Sequence, residues 1–331
     1  MSTTKTPEAL LARLRRGRRF VITSHTSPDG DSVGSSLGLA RLLRGLGKAA
    51  WVWFRDPLPP VFASLPGADR VHVGTAVPAG FPADFDAAIV LECPSLERTG
   101  LESSLAELPV LNIDHHLGNR LYGEVNWVDS AAPAVGEMVY RLTTELHVTW
   151  DRDSADLLYL ALASDTGGFR FSNTTLAAFE AAAAMMRAGA SPERVTTWLY
   201  ESQPVSAVRL LGEMLPSLEL HAAGSIATVV LTREMFARAG AAPGDSEGLI
   251  DHPRSIAGVA ATALFKELGD GRWKISLRSR GSLDVERIAQ GFGGGGHRNA
   301  AGCTLDGPLP AVQERIIAAL VAAREADESH G

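Results

Sequence analysis

The sequence predicts an α/β protein in two parts. The first is an N-terminal domain with a mostly parallel sheet flanked by helices; the second is a smaller α/β C-terminal domain joined to it by a helical linker. Three observations carry this expectation. Short apolar runs alternate with amphipathic segments through the first half. Clusters of Asp, Glu and His follow directly on several of those runs, and ligands of open α/β sheets bind outside the carboxyl ends of the strands. Beyond about Leu215 the texture changes to paired strand-like runs around Gly-containing turns. At 331 residues the chain is long for a single core. The expected boundaries are 1–190 for the first domain, 191–215 for the linker and 216–331 for the second.

Pro7 to Arg16 reads as a short helix and Phe20-Val21-Ile22-Thr23 as the first strand. After His25 to Ser32 comes a helix from Ser32 to about Gly45, in which Val33, Leu37, Ala40 and Leu43 recur at helical spacing. Ala50 to Phe54 is expected as a second strand. Ala87 to Leu91 is a third, ending in Glu92-Cys93-Pro94, and Val110 to Ile113 a fourth, leading into Asp114-His115-His116. Val135 to Leu146 and Ser154 to Ala163 read as helices, the second running into Ser164-Asp165-Thr166-Gly167. Thr174 to Ala188 is an alanine-rich helix, and Ser191-Pro192-Glu193 opens another with a Ser cap and Pro in its first turn. Helical character lasts to about Leu215. In the second part, Ser217 to Ala222, Ser225 to Leu231, Ala260 to Leu268 and Trp273 to Arg278 read as strands, the last two forming a hairpin around Gly269-Asp270-Gly271. Asp284 to Gln290 is a short helix, a glycine run follows, and Leu309 to Ala326 closes the fold.

Composition narrows the function classes. An apolar fraction of 45% and a charged fraction of 21% are ordinary for a globular protein. Cys93 and Cys303 lie far apart, which argues against a disulfide framework or zinc finger and fits a reducing, cytoplasmic setting. Met1 to Phe20 lacks the apolar core of a secretory signal, and no apolar run is long enough to span a membrane, so no membrane partner is expected. A net charge of −7 with scattered arginines suits capture of a small anion better than a grip on long nucleic acid.

The polar clusters carry the chemistry. His25, Asp29 and Asp31 fall on the loop after the first strand, with Gly30 letting the turn tighten. The competing reading is that Asp31 or Ser32 caps the next helix and Asp29 makes a local turn; it accounts for a carboxylate but not for the histidine. Glu92 and Asp165 each have an ordinary reading as a loop acid and a helix-end residue. Taken together, His25, Asp29, Asp31, Glu92, His115 and Asp165 supply mixed oxygen and imidazole donors. Such donors suit Mn²⁺, with Mg²⁺, Co²⁺ or Fe²⁺ as competitors, and are too many for one ion. Two ions sharing a carboxylate activate water against a phosphoryl group, so phosphoester hydrolysis is the expected reaction class. The glycine run from Gly291 to Gly296 lets backbone N–H groups approach an anion or base.

The order His25-x-x-x-Asp29-x-Asp31, then Glu92, Asp114-His115-His116 and Asp165-Thr166-Gly167, resembles the DHH phosphoesterase superfamily. Leu277-Arg278-Ser279, Gly294-Gly295-Gly296-His297 and Ala300-Ala301-Gly302 resemble its DHHA1 C-terminal domain. Length and plan are closest to the bacterial nanoRNase and 3′-phosphoadenosine 5′-phosphate (pAp) phosphatase branch. The resemblance implies one Mn²⁺ on His25, Asp29 and the strand-end acid, and a second on Asp31, His115, Asp165 and the same acid. It implies that His116 protonates the leaving oxygen, that Asp114 orients a histidine, and that Arg278, Ser279, Gly294, Gly295, Gly296 and His297 hold the substrate. The family usually carries Asp where this chain has Glu92. The implied substrates are short single-stranded RNAs, linear dinucleotides and pAp, and a homodimer is expected. A cyclic-dinucleotide phosphodiesterase and a nucleotide-binding protein weakened at Glu92 are the alternatives. His252 is a lesser substrate-site candidate, while His72, His147, His221 and His330 read as surface or core residues and Cys93 as packing.

Overall fold

The computed structural model describes residues 4–328; His330 lies outside them. The chain forms two compact units, Met1–Ser202 and Gln203–Gly331. The first contains α1 (Glu8–Arg16), β1 (Arg19–Thr23), α2 (Gly30–Gly45), β2 (Ala49–Phe54), β3 (His72–Val73), β4 (Ala87–Leu91), α3 (Glu102–Leu105), β5 (Val110–Asp114), β6 (Val125–Val128), α4 (Val135–Glu145), α5 (Arg152–Asp165), α6 (Leu176–Arg187) and α7 (Pro192–Tyr200). Its six strands lie in the order β3-β2-β1-β4-β5-β6, and every neighbouring pair is parallel. β1, β4 and β5 are buried almost throughout, as strands covered on both faces must be. The order reverses at β1, which pairs with β2 on one side and β4 on the other. That reversal opens a crevice at the carboxyl ends of β1 and β4, the place where such sheets bind ligands.

The second unit contains α8 (Val205–Met214), β7 (Glu219–His221), β8 (Ile226–Leu231), α9 (Arg233–Ala239), α10 (Asp251–Arg254), β9 (Ala261–Gly269), β10 (Arg272–Ser279), α11 (Val285–Gly291), β11 (Gly295–His297), β12 (Ala300–Asp306) and α12 (Leu309–Glu328). The sheet order is β11-β12-β10-β9-β8-β7, antiparallel except between β8 and β9. Asp270 and Gly271 both have positive φ (52° and 71°), the requirement of a tight hairpin turn between β9 and β10. One face of this sheet packs Phe265, Ile275, Leu277 and Cys303 against Ile288 of α11 and Ile316 and Leu320 of α12. The other packs Val229, Leu231 and Leu264 against Leu210 and Met214 of α8 and Ala239 of α9.

The structure adds to and corrects the sequence reading in particular places. β3 and β6 extend the first sheet at its two edges, and α9 and α10 enter the second unit; none of these was expected. The segment expected to join the domains divides instead. Val195 and Trp198 of α7 bury in the core of the first unit, whereas Leu210 and Met214 of α8 bury in the second, because each helix carries its own apolar stripe. The end of the glycine run, expected as irregular loop, is the edge strand β11. Gly294 and Gly296 are required there by close approach: a Cβ on either would collide with the backbone of β12.

Helix packing places the acidic residues of the first unit. α2 and α5 approach through Gly34, where a Cβ would lie 2.5 Å from the Leu157 carbonyl oxygen. Both helices carry a site residue at the crevice end, Asp31 in the first turn of α2 and Asp165 as the last residue of α5. Gly34→Ala must therefore push the helices apart, and we expect a loss of about 1–3 kcal/mol. Urea unfolding followed by tryptophan fluorescence checks this, since every tryptophan except Trp273 lies in the first unit; an unchanged midpoint would show that the helices do not need this contact.

Candidate metal centre

His25 follows β1 by two residues, and its ring is fixed at both nitrogens. Nδ1 bonds the Thr26 carbonyl at 2.8 Å, while Nε2 lies 2.7 Å from Glu92 Oε2 and 2.9 Å from Ser32 Oγ. Asp29 is the N-cap of α2, one oxygen accepting the Ser32 amide at 3.0 Å. The turn reading and the ligand reading of Asp29 are thus compatible, since capping engages one lone pair of a carboxylate. Glu92, one residue past β4, is 1% exposed and has a φ of 50°. That left-handed backbone is uncommon for a residue with a side chain and stores strain. Its carboxylate also accepts from the Ser32 hydroxyl. Ligating atoms of His25, Asp29 and Glu92 all lie within 4.8 Å of one another.

A second group forms beside the first. Asp31, fully buried, accepts the backbone amides of Val135 (2.6 Å) and Gly136 (2.9 Å) at the N-terminus of α4, where the helix dipole favours a negative charge. His115 Nδ1 is 3.1 Å from the Ala132 carbonyl, which turns Nε2 toward Asp165 Oδ2 at 3.6 Å. Ligating atoms of Asp31, His115 and Asp165 again lie within 4.8 Å of one another. Glu92 is equally close to His115 and His116, so its carboxylate stands between the two groups.

Asp114 and His116 take a different arrangement. Asp114 Oδ1 accepts from His116 Nδ1 at 2.8 Å, and Oδ2 accepts from Asn119 Nδ2 at 2.6 Å. The pair directs His116 Nε2 toward Glu92 Oε1, 3.9 Å away. Asn119 is held in turn by Asn112 at 3.0 Å, and Asn112 reaches Asn126 at 3.1 Å.

Charge balance follows from this geometry. Burial opposes the charge on His25, but the adjoining Glu92 carboxylate outweighs it and raises the imidazole pKa to about 10. Burial alone would raise Glu92; the His25 imidazolium holds it well below the carboxylate range instead. Asp31 is pushed well above its ordinary value, first by burial and then by Asp165 and Glu92. Asp114 stays low because the His116 hydrogen bond offsets its burial. Carboxylates with imidazoles, gathered in a buried crevice with their charges in conflict, are the donor set of a hard or borderline divalent cation. The residues present therefore fit a metal.

The comparisons with known proteins agree. The model of the DHH family N-terminal domain matches residues 19–162, and that of the DHHA1 domain matches residues 224–326. The bifunctional oligoribonuclease and PAP phosphatase NrnA of Thermus thermophilus is 34% identical over 301 residues, covering 90% of this chain and 88% of that protein. The chain belongs to the DHH family. The protein of the same name from Bacillus subtilis is 26% identical over 86% of this chain and 89% of its own length. Among solved structures, an exopolyphosphatase-related protein from Bacteroides fragilis superposes with a TM-score of 0.86 at 26% identity, over 96% of both chains.

Within this DHH chain the first unit brings together all six expected ligands, with Asp114 and His116 beside them. In the second unit Arg278 lies on β10, and Gly295 and His297 on β11. Ser279 does not share the face of Arg278. It is buried, its hydroxyl donating to the Leu283 carbonyl at 2.6 Å and accepting from Asn299 at 2.8 Å, so it fixes the turn after β10. His252 is exposed on α10, and His147 is exposed past α4. Cys93 is buried with its thiol on the Ser95 carbonyl, and burial raises its pKa far out of the nucleophile range. Ser32, Asn112 and Asn119 were not singled out from the sequence: a serine after a capping aspartate and an asparagine in a turn carry no signal beyond local structure.

His25 holds a proton at neutral pH in the metal-free crevice, and a metal must displace it. Mn²⁺ affinity should therefore climb with pH up to about 10. Calorimetric titration in buffers of different ionisation enthalpy should read proton release, reduced in His25→Ala. Heats independent of the buffer would contradict this charge assignment.

Proposed function

We propose that the chain is a two-metal phosphoesterase. Its substrates are short oligoribonucleotides and linear dinucleotides, cleaved to 5′-mononucleotides, and pAp, dephosphorylated to AMP. The observation that carries the reading is the shared placement of Glu92 between two ligand groups at the sheet's reversal point. The names of the relatives in Thermus and Bacillus support the substrate class. His25, Asp29 and Glu92 would hold one cation, and Asp31, His115, Asp165 and Glu92 the other. Mn²⁺ suits these donors best, with Mg²⁺ or Co²⁺ as substitutes. Divalent cations there supply charge to a phosphoryl group and lower the pKa of an attacking water.

The chain's own residues do the rest. The Ala132 carbonyl and the Thr26 carbonyl set the tautomers of His115 and His25, so that each presents Nε2. Asp114 fixes His116 with Nδ1 protonated, and Nε2 gives its proton to the leaving oxygen. Asn119 holds Asp114 in the plane that this contact needs. Arg278 grips a terminal phosphate through its planar fork. No described helix is long and apolar enough to cross a membrane, and the buried, unlinked Cys93 and Cys303 support a cytoplasmic setting.

The test is Mn²⁺-dependent release of AMP from linear diadenylate, beside pAp and a five-unit RNA. His116→Ala should cut turnover by about 10²–10⁴-fold while keeping the thermal shift that Mn²⁺ induces. Asp165→Ala should lose both. Glu92→Asp should keep or raise turnover. Tight dinucleotide binding with no turnover by the wild type would favour a binding role, and preference for a cyclic dinucleotide would move the substrate within the class.

A further inference from the structure

β10 alternates cleanly. Trp273, Ile275 and Leu277 are buried on the side of α11 and α12, and Lys274, Ser276 and Arg278 look the other way. On that second side α8 and α9 cover β8 and Leu264 of β9. The strip beyond Leu264 forms a shallow cavity lined by Ser246, Glu247, Leu264, Lys266, Lys274 and Arg278 among others. Strand register sets the order of its rows. Lys274 pairs with Lys266 on one side and Thr304 on the other. Ser276 lies between Leu264 and Gly302, and Arg278 between Thr262 and Ala300. Uncharged residues, Leu264, Ser276 and Gly302, therefore form the middle row of the strip, with cations at both ends.

The Lys266–Lys274 pair is the unexpected feature. Like charges directly opposite each other on antiparallel strands are destabilising. Lys266 is moreover half-buried, and its Nζ bonds Ser246 Oγ at 2.9 Å. Burial, reinforced by Lys274, lowers its pKa. Glu247 lines the cavity too, but three cations outnumber it. At the other end the pKa of Arg254 is lowered chiefly by burial, which its ion pair with Asp251 opposes and the charges of Arg280 and Arg278 reinforce. A surface that tolerates this repulsion is arranged for an anion with more than one charge along its length.

We propose that Lys266 and Lys274 form a second phosphate site, which takes a phosphate of a longer single-stranded oligoribonucleotide whose end is held at Arg278. Arg278 lies four residue steps beyond Lys274 on the strand, about 13 Å along the sheet between backbone positions. That backbone separation exceeds the step between neighbouring phosphates of one strand, so a longer strand supplies a phosphate to each end of the row. The pair thus raises affinity for longer RNAs and leaves pAp untouched. The role of Arg278 as a substrate contact rests on the phosphoesterase reading.

The test uses the full chain with Mn²⁺ and the variants Lys274→Gln, Lys266→Gln and the double variant. For the five-unit RNA the double variant should raise KM about tenfold, with kcat/KM on pAp within twofold of wild type. The salt dependence of five-unit RNA binding, measured by fluorescence anisotropy in an Asp165→Ala background, should lose about 0.7 in log–log slope per lysine removed. Lys274→Arg should restore both. Lys274→Gln should hold or raise the melting temperature, because it relieves repulsion, and it stays informative if Lys266→Gln, which loses the Ser246 bond, fails to fold. An unchanged slope, or equal losses on pAp and the longer RNA, would overturn the second site. Absence of turnover by the wild type on any of these substrates would instead overturn the phosphoesterase reading, and the anisotropy slopes would still decide the lysines.

Discussion

Asp31, Glu92 and Asp165 share one crevice with His25 and His115, and a crowd of buried charge constrains the rest of the first unit. Taking a carboxylate out of water costs several kcal/mol even after the protein relaxes around it. Specific hydrogen bonds offset part of that cost for Asp31 and Glu92, and for Asp114 beside them. Asp31 receives two amides from the start of α4, Glu92 receives the His25 ring and the Ser32 hydroxyl, and Asp114 receives His116 and Asn119. These partners come from four separate segments, so the helices and strand ends must be held in register with one another. The bare contact of α2 with α5 at Gly34 serves that need. Burial and the neighbouring Asp165 and Glu92 still raise the pKa of Asp31, and a divalent cation held there would offset that repulsion.

Glu92 shows how such a site absorbs an atypical side chain. A glutamate at the end of an extended strand would carry its carboxylate past the position that an aspartate reaches. Here the backbone turns into the left-handed region at that residue, and the carboxylate meets His25 and Ser32. Strain of this kind costs on the order of 1–3 kcal/mol and persists because Ser32 and His25 grip the carboxylate. An aspartate at this position would relieve the need for reach but not the need for the unusual φ. The length of the side chain and the shape of the backbone are therefore coupled, and neither can be judged alone.

The grouping of acids and histidines in the candidate crevice was largely legible in the sequence because His25, Glu92 and Asp114 to His116 come at the ends of buried strands and Asp31 and Asp165 at the ends of apolar helices. An apolar run that stops abruptly at His25, Glu92 or Asp114 marks both the strand and the site. Less legible was whatever lacks a period. The two-residue β3 and the short edge strand β6 carry too few apolar positions to stand out. β11 is glycine and histidine, and only its neighbour β12 makes it a strand. Ser279 was read with Arg278 because both belong to the Leu277-Arg278-Ser279 motif, yet adjacent residues on a strand point to opposite faces. The Asn112–Asn119–Asp114 chain depends on tertiary folding that brings a turn back onto β5, which local pattern does not encode.

The two units solve the handling of anions in opposite ways. In the first, charge is buried and held by specific hydrogen bonds at Asp31, Glu92 and Asp114. In the second, cations stand along an incompletely covered sheet face, each keeping contact with water and repelling its neighbours. Buried groups act over short distances through fixed hydrogen bonds, which suits the discrimination of a transition state. Half-exposed lysines act through screened Coulomb attraction, which falls with salt and tolerates different bases. The proposed reaction on short RNAs would draw on both, rigidity where the bond breaks and tolerance where the sequence varies. The placement of unsatisfied negative charge in a deep crevice and surplus positive charge on an open strip follows from that division.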